Sequence, residues 1–322
     1  MQKKLPNSTK VVVIGGGVVG CSVAYHLAKF GWKDTILLER DQLTSGTTWH
    51  AAGLVSQLGP SAAITKIRKY SLDLYKELEK KVDHSAGLRL NGALSIAETK
   101  GRWQELQRQA TTAQLYDVDV RILDKDQIKK DYPIINTDEV IGGILMPGDG
   151  AADPSGVTHM LAKGARNMGG KIFRFTPAIG ISREGDEWVV HTEKGNIRCE
   201  KVVNAAGYYA QRVGEWFKPF GGRTVPMATM SHQFFLTEPI KELEEWSKDN
   251  GKLPLLRDVD SSYYLRQEKF GLNLGPYERN CKAHWVTPDD PMPEDFSFQL
   301  YPDDLERLEW YIEDAMARVP IL

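Results

Sequence analysis

Apolar residues along the chain switch between two periodicities, and the switch points outline its elements. Lys10-Val11-Val12-Val13-Ile14 and Thr35-Ile36-Leu37-Leu38 are continuous apolar runs of the kind found in strands buried on both faces of a parallel sheet. Between them, Val19, Val23, Ala24 and Leu27 recur at helical spacing, and Gly31 stands where such a helix stops. A second, amphipathic helix is predicted from Ile64, Ile67, Ser71, Leu74, Leu78 and Val82, with Lys76, Glu79 and Lys80 on its solvated side.

Further along, residues 87–98 alternate like a strand, residues 102–116 read as a helix, and residues 142–146 precede the turn-rich Pro147-Gly148-Asp149-Gly150. Asp153-Pro154-Ser155 opens a helix that runs through Met168, and Gly169-Gly170 closes it before a strand over residues 171–175. Residues 187–192 and 196–199 predict a hairpin around Gly195, residues 201–207 predict another buried strand with a close turn, and residues 302–318 predict a final helix. From about Trp216 to that helix, strand-like and turn-rich stretches alternate. The expected organisation is α/β, with one domain formed by residues 1–86 and 152–215 and a second by residues 87–151 and 216–322.

Length agrees with two domains, since 322 residues exceed what one core of about 250 to 300 residues normally serves. A net charge of -2 with 26% charged residues leaves no basic surplus for nucleic acid. Cys21, Cys199 and Cys281 are too few and too scattered for a disulfide framework or a metal motif. His26, His84, His159, His191 and His284 also lack ligand spacing, so no metal is expected. The start Met1-Gln2-Lys3-Lys4-Leu5-Pro6 lacks the apolar core of a secretory leader, and no apolar run is long enough to span a membrane. A soluble, cytoplasmic setting is the expectation.

Between the first strand and helix lies Gly15-Gly16-Gly17-Val18-Val19-Gly20, a G-x-G-x-x-G pattern. Gly15 suits the tight turn, Gly17 lets backbone approach a pyrophosphate, and Gly20 allows close helix packing, with the helix N-terminus facing the phosphates. Glu39 ends the second strand nineteen residues beyond Gly20, where an acid accepts hydrogen bonds from a ribose diol. These parts in this order predict dinucleotide binding. The competing possibility is a glycine-rich turn in another α/β protein, with Glu39 an ordinary strand-end charge.

Together with this unit, several further segments resemble the flavin domain of the dimethylglycine and sarcosine dehydrogenase family, within the D-amino-acid-oxidase-like superfamily. They are Leu43-Thr44-Ser45-Gly46-Thr47-Thr48-Trp49-His50-Ala51-Ala52-Gly53-Leu54, Asp149-Gly150, Asp153-Pro154, Val203-Asn204-Ala205-Ala206-Gly207, Leu256-Arg257-Asp258 and Tyr263-Tyr264-Leu265-Arg266-Gln267-Glu268. The resemblance implies a Rossmann-like FAD-binding domain with an inserted antiparallel-sheet substrate domain. It implies FAD bound covalently through an imidazole nitrogen of His50, a bond that needs a neutral nitrogen nucleophile. It also puts the Val18 and Val19 amides on the pyrophosphate, Glu39 and Arg40 near the adenosine ribose, Gly46, Thr47, Thr48, Ala51, Ala52, Gly53 and Leu54 around the flavin, and Ala178 and Gly207 on the adenine side. Taken as residues alone, His50 equally suits packing or hydrogen bonding, and Gly207 a plain turn.

The reaction implied is oxidation of a small N-methylated amine such as dimethylglycine or sarcosine, with hydride passing to flavin N5 and electrons onward to an electron-transfer flavoprotein or oxygen. The amine must be unprotonated, so a nearby proton acceptor helps. His232 and Tyr264 match active-site positions of the family; the bland alternatives are a strand histidine and a half-buried aromatic. Arg266 is a candidate partner for a substrate carboxylate, or for Glu268. Family members continue beyond the final helix, so a truncated member is expected, and one-carbon transfer to folate is not assigned to these residues. The competing functions are a non-catalytic flavin-fold regulator related to the pyruvate dehydrogenase phosphatase regulatory subunit, and a nicotinamide dehydrogenase. The intact Trp49-His50 pair favours an enzyme over the first, and residues 204–207 with the inserted β region favour FAD over the second.

Overall fold

Ser8–Ile14 lies inside a six-stranded sheet, parallel to Thr35–Leu38 on one side and to Gly195–Asn204 on the other. The computed structural model describes residues 4–322, so Met1, Gln2 and Lys3 of the start segment lie outside the described residues. Lys171–Phe173 extends the sheet beyond Thr35–Leu38, while Glu187–Thr192 and Ala178–Glu184 extend the other side in antiparallel fashion. The continuous apolar runs have a simple cause. Val11, Val13 and Leu37 face the packed helices Val18–Lys29 and Pro154–Asn167, whereas Val12, Ile14, Ile36 and Leu38 face a second core with Val190, Ile197 and Val213.

The second sheet has seven strands, in the order Phe235–Leu236, Gly271–Pro276, Tyr263–Glu268, Leu255–Asp258, Ala93–Ala97, Gly142–Met146 and Arg121–Leu123. Its neighbours are antiparallel except for Leu255–Asp258 and Ala93–Ala97, which run parallel. One face, with Leu94, Ile96, Leu256, Leu265 and Leu274, packs on Leu243, Tyr311 and Ala315 from the helices Lys241–Asn250 and Glu309–Arg318. Arg318, at the end of the last helix, reaches under this sheet: Nε donates to Asp258 Oδ2 at 3.2 Å, Nη1 to the Asn136 carbonyl at 2.8 Å, and Nη2 pairs with Glu98.

Several expected boundaries shift. The separate strands expected over residues 196–199 and 201–207 are one strand, Gly195–Asn204, because the chain keeps Ser8–Ile14 as a parallel neighbour from Arg198 to Asn204. Residues 87–98 contribute only Ala93–Ala97, with Arg89 making a single bridge to Ala151. The strand expected to residue 175 ends at Phe173, and Phe175 has φ +52°. The last helix starts at Glu309 rather than 302, after the 3-10 turn Leu305–Arg307.

The helix Ala62–Lys81 is rotated from its expected face: Ile64 and Ile67 are exposed, whereas Thr65 and Leu72 are buried beside Leu74 and Leu78. Polar bonds set that rotation. Thr65 Oγ1 accepts from the Gly59 amide at 3.0 Å, and Arg68 Nη1 donates to the Leu58 carbonyl at 2.5 Å and to Ser56 Oγ at 3.1 Å. Among the described residues, no helix is long and apolar enough to cross a membrane.

Candidate functional site

At the end of the first strand the chain turns where no side chain fits. Gly15 has φ +114°, and a Cβ there would lie 2.2 Å from the Ala205 carbonyl oxygen; a Cβ on Gly20 would lie 1.9 Å from the Gly15 oxygen. Gly17 stands at the N-cap of the helix Val18–Lys29 and has no side chain to cap it, so the first-turn amides are left to other partners. Val19 is exposed, and the Val18 amide donates to Thr48 Oγ1 at 3.0 Å.

Glu39 is buried beneath this turn. Its Oε2 accepts from the Gly16 amide at 2.6 Å and its Oε1 from the Asp41 amide at 2.8 Å. Burial pushes its carboxyl above the usual range, opposed by the Asp41 and Gly16 amides. Arg40 lies over the Tyr209 ring, 4.6 Å from its centroid, and donates to the Glu294 carbonyl. The Thr176 amide donates to the Glu39 carbonyl at 2.8 Å, which brings the strand opening at Ala178 beside this end. Gly207, at φ +59°, starts the 3-10 turn Gly207–Tyr209 after the strand that meets Gly15.

The segment from Leu43 to Leu54 is fastened to the same turn. Thr44 holds φ +75°, a costly conformation for a β-branched residue; its amide donates to the Gly16 carbonyl at 3.2 Å, and its carbonyl accepts from the Trp49 amide at 3.1 Å. That fixes the one-turn helix Thr47–His50, which begins after Gly46. His50 is exposed, with Nδ1 at 3.1 Å from the Gly46 carbonyl and Nε2 at 2.7 Å from the Gln299 carbonyl. A neutral imidazole carries a single N–H, so it donates to only one of them. Beyond Ala51, Ala52 offers its carbonyl to Arg266 Nη1 at 2.6 Å, the Gly53 carbonyl accepts from the Ala152 amide at 2.8 Å, and Leu54 pairs with Ala151.

These contacts carry the loop onto the second face of the seven-stranded sheet, part of which is covered by the helix Lys100–Gln114. There Tyr264 packs with Ala93 and Leu255 against Ala52 and Leu54. Its ring lies across Gly275, where a Cβ would come 2.0 Å from Tyr264 Cζ. Burial raises the phenol above its usual range and keeps it protonated, with the Arg266 charge opposing. Arg266 itself is committed, to Ala52 and, at 2.9 Å, to Glu268. His232 follows the short strand Thr229–Ser231, which pairs only with Lys282–His284. It is exposed, and among the described residues no hydrogen bond or ring contact links it to Tyr264 or His50. One chain of contacts thus joins Gly15, Glu39, Thr48, His50, Ala52, Leu54, Tyr264 and Arg266, and His232 stands apart from it.

A neighbour of this site was not expected. Residues 293–301 lie along it: Tyr209 donates to the Pro293 carbonyl at 2.9 Å, the Phe298 amide to the Ser45 carbonyl at 2.9 Å, and Glu294 pairs with Arg212. Phe296 stacks on the His50 imidazole at 6.2 Å and 11°. The only signal for it in the sequence was a concentration of aromatic residues, Trp285, Phe296, Phe298 and Tyr301, in a stretch rich in proline and aspartate. Two surface hollows, of about 570 Å³ beside Lys129 and Pro320 and about 320 Å³ beside Glu278 and Trp310, touch none of these residues. Among the described residues, no group of three or more metal-binding side chains occurs.

Residues 10–322 match the family model described as FAD dependent oxidoreductase. The chain is 38% identical to human mitochondrial dimethylglycine dehydrogenase over 318 residues, 97% of this chain and 36% of that protein. It is 36% identical to human mitochondrial sarcosine dehydrogenase over 327 residues, covering 99% of this chain and 34% of that one. It therefore spans about a third of the length of these relatives, whose mitochondrial names give the cytoplasmic expectation no support. Its fold matches the crystal structure of L-proline dehydrogenase from P.horikoshii with a TM-score of 0.82 at 25% identity, covering 98% of this chain and 78% of that one.

Proposed function

This chain belongs to the family of FAD-dependent oxidoreductases, and from that premise we propose that it oxidises a small N-methylated amino acid of the dimethylglycine or sarcosine type. One observation carries the proposal: the segment that begins on the glycine turn and carries His50 ends against Tyr264, held there by Arg266 on the Ala52 carbonyl at 2.6 Å. A dinucleotide bound at the turn would thereby meet a substrate bound on the sheet.

The residues fit the cofactor. The glycine turn excludes side chains where a pyrophosphate approaches, and of the two amides that open the helix Val18 donates to Thr48 Oγ1 while, among the described residues, Val19 has no side-chain partner. Glu39 uses two of its four acceptor positions within the chain, which leaves capacity for ribose hydroxyls. Arg40, Ala178 and Gly207 flank the adenosine end, and residues 46–54 would border the flavin. His50 is the residue proposed for covalent attachment, since one of its ring nitrogens keeps a lone pair in either neutral tautomer. Bound FAD would supply the hydride acceptor, and the protein's part is orientation.

Tyr264 presents a protonated phenol beside the loop, and His232 is proposed as the group that takes up the amine proton. Residues 1–86 and 152–215 are assigned to the cofactor domain and residues 87–151 and 216–322 to the substrate domain, a division supported by the two large sheets, whose strands fall in these ranges, while the short pair Leu54–Val55 and Gly150–Ala151 bridges it. Electrons would leave for an electron-transfer flavoprotein or oxygen. The Trp49-His50 pair and the dehydrogenase names of both relatives weigh against a regulatory role.

The test is acid precipitation of the purified chain followed by a visible spectrum. Flavin absorbance that stays with the precipitate, and leaves it in His50→Ala, is expected; a colourless native protein would reject the proposal.

A further inference from the structure

The face of the seven-stranded sheet that bears Tyr264 carries two arginines beside it, and their circumstances differ. Arg266 has both terminal nitrogens engaged, Nη1 by the Ala52 carbonyl and Nη2 by Glu268, with only its Nε left unpartnered. Arg257 is half-buried, its Nε is likewise enclosed without a partner, and among the described residues none of its nitrogens makes a hydrogen bond or ion pair. Its position follows from alternation along Leu255–Asp258. Leu256 and Asp258 point into the main core and toward Arg318, while Leu255 packs with Tyr264 against Ala52 and Leu54. Arg257 therefore shares the face of Leu255, and it stands in register with Tyr264 on one neighbouring strand and Ser95 on the other.

The acid whose charge it faces is Asp149, which is buried, accepts the Gln57 amide on Oδ1 at 2.9 Å and forms no ion pair with Arg257. The Tyr264 ring lies over Gly275, on the side away from Arg257, so it does not cover the guanidinium. A half-buried guanidinium with no hydrogen-bonded ion-pair partner is costly, and a planar two-oxygen anion matches its fork of donors.

We infer that Arg257 binds the carboxylate of the amino-acid substrate and so orients the amine end toward the segment that carries His50. This rests on the proposed function, and it replaces Arg266 in the role that spacing alone suggested. A carboxylate held at Arg257 selects amino acids over simple N-methylamines. Arg257 is a positioning residue, since it holds the end of the substrate that does not react.

The test uses the FAD-bearing chain, methoxyacetate as an unreactive carboxylate and methoxyacetamide as its neutral counterpart, with binding read from the visible flavin spectrum and from thermal shift. Wild type should prefer the carboxylate, and Arg257→Gln should weaken methoxyacetate by about 10- to 100-fold while leaving the amide alone. Arg257→Lys should lose less, because an ammonium keeps the charge without the fork. A flavin-bearing Arg257→Gln, or Arg257→Lys if the first does not fold, that binds methoxyacetate as wild type does overturns the inference. So does a wild type without preference for the carboxylate. A wild type without flavin, or one whose flavin is not reduced by dimethylglycine, overturns the proposed function instead.

Discussion

Thr48 Oγ1 accepts the Val18 amide at 3.0 Å across thirty residues of sequence, so the segment that carries His50 caps the helix that follows the glycine turn. The Val18 amide is among the first-turn donors without an intrahelical partner. Thr48→Val keeps the shape and removes the acceptor. It should lower stability by about 1 kcal/mol, with Thr48→Ser close to wild type. Denaturant unfolding of the two variants checks this, and equal stability of Thr48→Val and wild type would show that the cap contributes nothing.

Gly15→Ala meets two obstacles at once, a positive φ and a carbonyl oxygen 2.2 Å from the new Cβ. The turn and the Ala205 backbone would have to part. A loss of at least about 2 kcal/mol is expected, together with weaker FAD retention on gel filtration. Gly207→Ala shares the positive φ but meets nothing within 4 Å, so its smaller loss isolates the conformational part of the effect.

Tyr264→Phe removes a hydroxyl that has no partner among the described residues but faces the proposed substrate. Anaerobic flavin reduction by dimethylglycine should slow by about 10- to 100-fold, with unfolding nearly unchanged. His232→Ala should also slow reduction. For either variant, an unchanged rate would remove that residue from the mechanism.

Glu98 titrates unusually. Burial and the neighbouring Asp258 carboxylate raise it from its usual 4.5 to about 7, and Arg318 opposes the shift. Because the folded value lies above the unfolded one, its contribution to stability is full below about 4.5 and is lost as pH rises through about 7. Glu98→Gln imitates the protonated form and removes that slope. The Tm of wild type minus that of the variant should therefore fall between pH 4.5 and 7.5, and a pH-independent difference would disprove the shift.

The parallel core was legible because strands covered on both faces leave uninterrupted apolar runs, as in Val11 to Ile14. Gly15 was legible because sterics at a tight turn act locally. The rotation of Ala62–Lys81 was not, since bonds from Thr65 and Arg68 to the preceding loop outweighed the burial of Ile64 and Ile67. The same limit separates Arg257 from Arg266. Spacing puts either one near Tyr264, but which guanidinium is already engaged depends on Ala52, far away in the chain. The alignment of residues 293–301 beside His50 is likewise a tertiary event with little local pattern to announce it.

Arg318 has a consequence for how the molecule comes to be folded. Its partners Glu98, Asn136 and Asp258 lie 220, 182 and 60 residues before it. During synthesis, the early strands of the seven-stranded sheet must wait for their last neighbours and for this guanidinium. Until it arrives, Asp258 and Glu98 are two carboxylates without a shared cation. Such late, long-range closure makes for slow folding, and it gives the half-made sheet a period of exposed edges in which chaperone binding would matter.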